Sequence, residues 1–257
     1  MPDTHVTDNV RARVSEAEWQ ARLDCAACYR LLPIFGMSDL VYNHVTTRIP
    51  GDGERFLINP FGWMYEEITA SSLITIDLAG NTVFNPHQGI GINYAGYVIH
   101  SAVHGARPDV GCVIHTHTRA GMAVSAMQCG LLPLTQTAMR CMPVACHAYE
   151  GPAVELDERA RLVGDLGAAN FMILRNHGLL TCGPSTAEAF NSMYWLEMAC
   201  RAQVDAMAAR TELTMPGADV VERSIHLYDP RTRRPFGLLE WPAMLRLLDR
   251  RDPSWRS

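Results

Sequence analysis

The sequence predicts a mixed α/β fold in one main domain followed by a C-terminal extension. Three observations carry this expectation. Short β-rich runs alternate with stretches whose apolar residues recur at helical spacing. The 257 residues are 48% hydrophobic, enough to bury one sizeable core. The stretch from Thr211 to Ser257 is interrupted by prolines and loses that regularity. We place the main domain at residues 16–212, the extension at 213–257 and a flexible polar N-terminus at 1–15.

In chain order, Trp19, Leu23, Ala26 or Ala27, and Leu31 predict a helix over 16–32. A strand-rich stretch follows, from Leu40 to Ile49, Arg55 to Ile58 and Leu73 to Leu78. Turns at Gly51-Asp52-Gly53 and Gly80-Asn81 separate these runs, and Thr82 to Phe84 is a short return. Tyr94 to Ala106 reads as a helix stopped by Arg107-Pro108. Gly111 to Thr116 is apolar and β-rich, as a buried strand is. Arg119–Gln128 and Leu156–Leu166 read as helices, and Phe171–Arg175 as a short buried strand. Ser185 and Glu188 form a capping box that opens a long helix to about Arg210. Beyond it one short helix is expected, at Pro242 to Arg250.

A formal net charge of -5, with no cluster of Lys and Arg, argues against a partner that is nucleic acid or an anionic membrane. No apolar stretch approaches the ~20 residues of a membrane span. Met1 to Arg13 lacks the basic start and apolar block of a secretory signal. The eight cysteines lie scattered in apolar contexts, as reduced thiols of a cytoplasmic protein do. Charged residues make up 19%, a low share that fits surface buried between subunits.

His115-Thr116-His117 ends the Gly111 strand. Side chains alternate across a strand, so positions 115 and 117 share a face and can reach one metal ion. His177 ends a second apolar strand, and Gly178 after it suits a sharp turn near a site. Three neutral imidazoles plus water make a common zinc shell, and manganese or iron would also accept nitrogen ligands. The plain alternative is three polar residues at strand ends, and the His-x-His spacing alone does not decide.

Arg107-Pro108-Asp109-Val110, followed by Cys112-Val113-Ile114-His115-Thr116-His117-Thr118, resembles the "RPD…HTH" segment of class II aldolases and adducins. Leu174-Arg175-Asn176-His177-Gly178-Leu179-Leu180 resembles their "LRNHG" segment. Gly130-Leu131-Leu132-Pro133, His147-Ala148-Tyr149-Glu150-Gly151 and the long helix after Ser185 also match, particularly the adducin-like branch. The resemblance covers roughly residues 17–210. It implies a three-layer α/β/α sandwich with a mixed, largely antiparallel central sheet. It further implies a homotetramer with sites at subunit contacts, and one divalent ion per subunit on His115, His117 and His177.

In sugar-phosphate aldolases of that family, a glutamate on the helix before "RPD" moves the proton. Counting back from His100 puts that position at Gly96, and a glycine cannot transfer a proton. The neighbouring serines that help hold phosphate are Tyr94 and Ala95 here. Two further phosphate-loop positions also differ, standing as Asn43-His44 and Phe61-Gly62. The expectation is therefore a metal-dependent lyase that cleaves a carbon–carbon bond of a small non-phosphorylated hydroxy- or keto-acid, by decarboxylation or retro-aldol cleavage through a metal-stabilised enolate. A non-haem iron oxygenase and a non-catalytic adducin-like interaction protein are the alternatives. The second is weakened by the short C-terminal stretch, whose arginines are balanced by acids.

His100 and His147 are the candidate acid/base groups. His100, His104 and position 96 share one helical face. Asn43, His44, Tyr94 and Tyr149 are candidate substrate contacts, and Arg175 and Asn176 could orient His177. Cys25-Ala26-Ala27-Cys28 reads as helix core, Glu66-Glu67 as a solvated turn and Gly89-Ile90-Gly91 as a loop.

Overall fold

The computed structural model describes residues 10–52, 54–151 and 157–257. At its centre, eight strands run in the order β4-β3-β2-β1-β5-β8-β7-β6. They are β1 (His44–Arg48), β2 (Arg55–Ile58), β3 (Ile74–Asp77), β4 (Thr82–Phe84), β5 (Cys112–Thr116), β6 (Ala145–His147), β7 (Phe171–Leu174) and β8 (Gly178–Gly183). Among the described residues only the β6–β7 pairing is parallel. The helices are α1 (Glu16–Ile34), α2 (Tyr94–Ala106), α3 (Arg119–Ser125), α4 (Gln136–Arg140), α5 (Glu158–Leu166), α6 (Thr186–Ala208), α7 (Ala218–Tyr228) and α8 (Trp241–Arg251).

Strand alternation sorts the core into two faces. On one, Leu57, Cys112, Ile114, Ile173 and Leu179 pack with α1 and α6 through Cys28, Tyr29, Leu32, Met193 and Leu196. On the other, Val113, Met172, Leu174 and Leu180 meet Ile99 and Val103 of α2 and Leu162 and Leu166 of α5. Phe56, Ile58, Ile74 and Ile76 extend that second layer against Tyr97 and Val98 of α2. The expected α/β/α sandwich with a mixed, largely antiparallel sheet is what forms.

Local chemistry explains where the elements begin. Ser15 and Ser185 cap α1 and α6, each hydroxyl accepting the backbone N–H three residues on. The strand expected over Leu40–Ile49 starts only at His44, because Leu40 and Asn43 take left-handed φ of 47° and 72° and break the ladder. The tail carries two helices rather than one. Pro216-Gly217, which read as an interruption, precede α7, with Gly217 at its N-cap. His177, expected to end a strand, lies instead in the turn after β7, and β8 begins directly at Gly178.

Residues 1–9 of the N-terminal stretch expected to be flexible lie outside the described residues, but Val10 is buried and Arg13 lies over Phe84. At the other end, Trp255 is buried, Asp252 pairs with Arg30 of α1, and the Ser257 carbonyl accepts from the Ser71 N–H. Cys25 and Cys28 sit in the core as free thiols, and burial pushes Cys25 up to about 12, so neither is a reactive thiolate. Among the described residues no helix is long and apolar enough to cross a membrane.

Candidate metal centre

His115 lies near the end of β5, His117 is the first residue past it, and the β7–β8 turn carries His177 beside them. Asn176 supplies the left-handed turn with φ 54°. A Cβ on Gly178 would fall 2.3 Å from the Thr116 carbonyl, so only glycine lets β8 run this close to β5. The result is a convergence of ring nitrogens. His117 Nε2 lies 2.9 Å from His115 Nε2 and 2.9 Å from His177 Nε2. Among the described residues these three offer ligand atoms all within 4.8 Å of one another.

The hydrogen bonds on the far side of each ring fix what the convergence means. His115 Nδ1 donates to the Leu179 carbonyl at 2.9 Å, and His117 Nδ1 donates to Asp39 Oδ2 at 3.1 Å. A carbonyl and a carboxylate only accept, so both Nδ1 atoms carry the proton and both Nε2 atoms present lone pairs. Two lone pairs facing each other across 2.9 Å repel unless a cation lies between them. Tetrahedral zinc, at ~2.0–2.1 Å from each nitrogen, would set them roughly 3.4 Å apart, a small opening of the rings. The donor set therefore fits a divalent ion. Burial, reinforced by the neighbouring rings, holds His115 well below the usual histidine range and His177 down to about 4, so both are neutral as ligation requires.

A second group of imidazoles lies next to the first. Val45 points toward α1, which turns His44 and Thr46 toward α2. Thr46 Oγ1 bridges His100 Nδ1 and His104 Nε2, at 2.8 Å each. The His44 ring stacks on that of His115 at 6.2 Å and stands edge-on to His100 at 5.5 Å. Burial pushes His44 and His104 down to about 3 and His100 well below its ordinary value. Both ring nitrogens of His44, Nε2 of His100 and Nδ2 of Asn43 are buried without a hydrogen-bond partner.

The family profile described as the class II aldolase and adducin N-terminal domain matches residues 23–204. The chain belongs to the class II aldolase/adducin family. A Pseudomonas aeruginosa protein named only for its class 2 aldolase likeness is 48% identical over 96% of both chains. Mouse alpha-adducin is 47% identical over 73% of this chain, which spans 26% of that longer protein. A solved aldolase II superfamily protein from Pseudomonas syringae superposes with a TM-score of 0.92 at 46% identity, covering 97% of this chain and 100% of that one. L-fuculose 1-phosphate aldolase from Glaciozyma antarctica follows at TM-score 0.82 and 26% identity, covering 94% and 93%.

Within this class II aldolase/adducin chain, the other candidates separate. Asn43 lies at the centre, its Oδ1 accepting from the His117 backbone N–H at 3.2 Å. Tyr149 stands edge-on to His177 at 6.1 Å. Tyr94 instead packs on Tyr97, half-exposed at the start of α2. Arg175 donates to the Met127 carbonyl, anchoring the turn before His177. His147 requires a correction. Its Nδ1 meets Asp165 at 2.7 Å and its Nε2 meets Glu158 at 3.3 Å, so both nitrogens tie β6 to α5 and none is left for a substrate. Asp39 and Thr46 went unnoticed in the sequence, because each acts through partners 54 to 78 positions away.

Proposed function

We propose that the protein is a divalent-metal-dependent lyase that cleaves a carbon–carbon bond of a small, non-phosphorylated hydroxy- or keto-acid. The supporting observation is the convergence of three Nε2 atoms, two of which must carry lone pairs because their Nδ1 protons are engaged. His115, His117 and His177 would hold one ion per subunit, zinc first, with manganese or iron acceptable. Such an ion would act as a Lewis acid on substrate oxygens.

The chain's own groups do the rest. Asp39 and the Leu179 carbonyl orient two of the rings, and Asn43 holds the His117 backbone while keeping an Nδ2 donor free for a substrate oxygen. Tyr149 flanks His177 at the exposed side. His100, fixed through Nδ1 by Thr46 and unpartnered at Nε2, is the proton carrier we assign. Tyr94 and Ala95 stand where the family's sugar-phosphate aldolases carry the serines that help grip a phosphate, which favours an unphosphorylated substrate. We take 16–212 as the domain and 213–257 as an extension within a cytoplasmic homotetramer.

The likeness to mouse alpha-adducin favours a second reading, a non-catalytic interaction protein. Metal-loaded protein incubated with a panel of hydroxy- and keto-acids separates the two. Release of CO2 or an aldehyde is the expected result. Neither product, with O2 consumed in the presence of Fe(II), would replace the lyase by an oxygenase; neither product and no O2 uptake would favour the adducin-like role.

A further inference from the structure

We propose that His44 is a ligand-contacting residue of this site, and that it occupies the space a side chain at position 96 would otherwise fill. A Cβ built on Gly96 would lie 2.3 Å from both Cε1 and Nε2 of His44 and 2.4 Å from Cδ2. No residue larger than glycine fits at position 96 with that ring where it stands. The exchange is therefore coupled: the imidazole comes from β1, and α2 yields to it.

The ring is not packing filler. A neutral imidazole carries one N–H donor and one acceptor lone pair. Those of His44 are both buried and both unpartnered, in a residue only 5% exposed. Buried polar atoms in folded proteins find partners, and an orphaned pair calls for one that the chain does not supply. The ring pairs across the sheet with His115 and stacks on its imidazole, 6.2 Å between ring centroids, which places it beside the three-histidine centre. The missing partner is an oxygen of the small hydroxy- or keto-acid held at the three-histidine centre. This inference rests on the metal-centre reading and adds the residue that selects among ligands there.

Two measurements test it. Cobalt-loaded wild type and His44→Phe, which keeps a ring but no nitrogens, are titrated with glycolate and pyruvate. Equal metal content and at least about tenfold weaker acid binding in the variant are expected, the loss of one hydrogen bond to a charged ligand. Equal acid affinity would overturn the inference, as would metal-loaded wild type that binds neither acid. Loss of metal from His44→Phe would also overturn it, by making the ring a ligand of the ion. Wild type that takes up no metal would overturn the metal-centre reading itself and this inference with it. Separately, Gly96→Glu should lower the thermal midpoint by several degrees, and His44→Ala/Gly96→Glu should recover most of that loss. A Gly96→Glu variant as stable as wild type would contradict the coupled exchange.

Discussion

His44, His100 and His104 are buried as neutral rings on the α2 face of the sheet, and that state has a pH signature. An unfolded histidine titrates near ~6.5, whereas burial holds these three well lower, His44 and His104 at about 3. Between those values the unfolded chain binds more protons than the folded one. Their contribution to stability is therefore complete above ~6.5 and is lost as pH falls toward the folded values. Metal-free protein should lose up to about 1.4 kcal/mol per pH unit per histidine between pH 6 and 4 in denaturant titrations. A flat profile would contradict the buried neutral rings. Asp39 gives a second prediction at this scale. It holds His117 by one hydrogen bond, so Asp39→Ala should weaken metal binding by about 10–100-fold in competition with a chelator, while His115, His117 and His177 all remain.

At the scale of elements, the parts of the fold written in local chemistry were legible and the parts written in distant contacts were not. The start of α6 is set by Ser185 capping the Glu188 N–H, three residues apart, and it could be read directly. Ser185→Ala should cost about 1 kcal/mol in reversible unfolding. The pairing of His115 with His117 was legible from strand period, although His117 lies one residue past β5 and is held by Asn43 and Asp39. By contrast, β1 begins late because of two left-handed residues, a backbone choice that Leu40 does not advertise. The role of Thr46 as the bridge between two helix α2 histidines, and the engagement of His147 by α5, depend on which face packs where. Thr46→Val tests the bridge. It strands two buried ring nitrogens, so it should destabilise by about 1–3 kcal/mol, more than the loss of an exposed hydroxyl.

Across the whole molecule, Val10 and the C-terminal Trp255 close on the core, while α7 in the extension stays far more exposed. Trp255 is buried against the body, and Trp255→Ala should cost about 3–5 kcal/mol. Helix α7, in contrast, buries none of its residues and exposes Val220 and Leu227. That face suits the subunit contacts we propose, and light scattering that returns a monomer would remove them. Family and fold were readable because the two histidine segments and the long helix are local patterns. The replacement of the residue-96 side chain by a ring from another strand was not, since it exists only once β1 and α2 are packed together.

The central claim is that three converging imidazoles hold a divalent ion. Elemental analysis of purified wild type and of His115→Ala/His117→Ala measures it directly. The account predicts close to one metal per subunit in the wild type and its loss in the double variant. Wild type that stays metal-free after supplementation, or a double variant that keeps its metal, would contradict it.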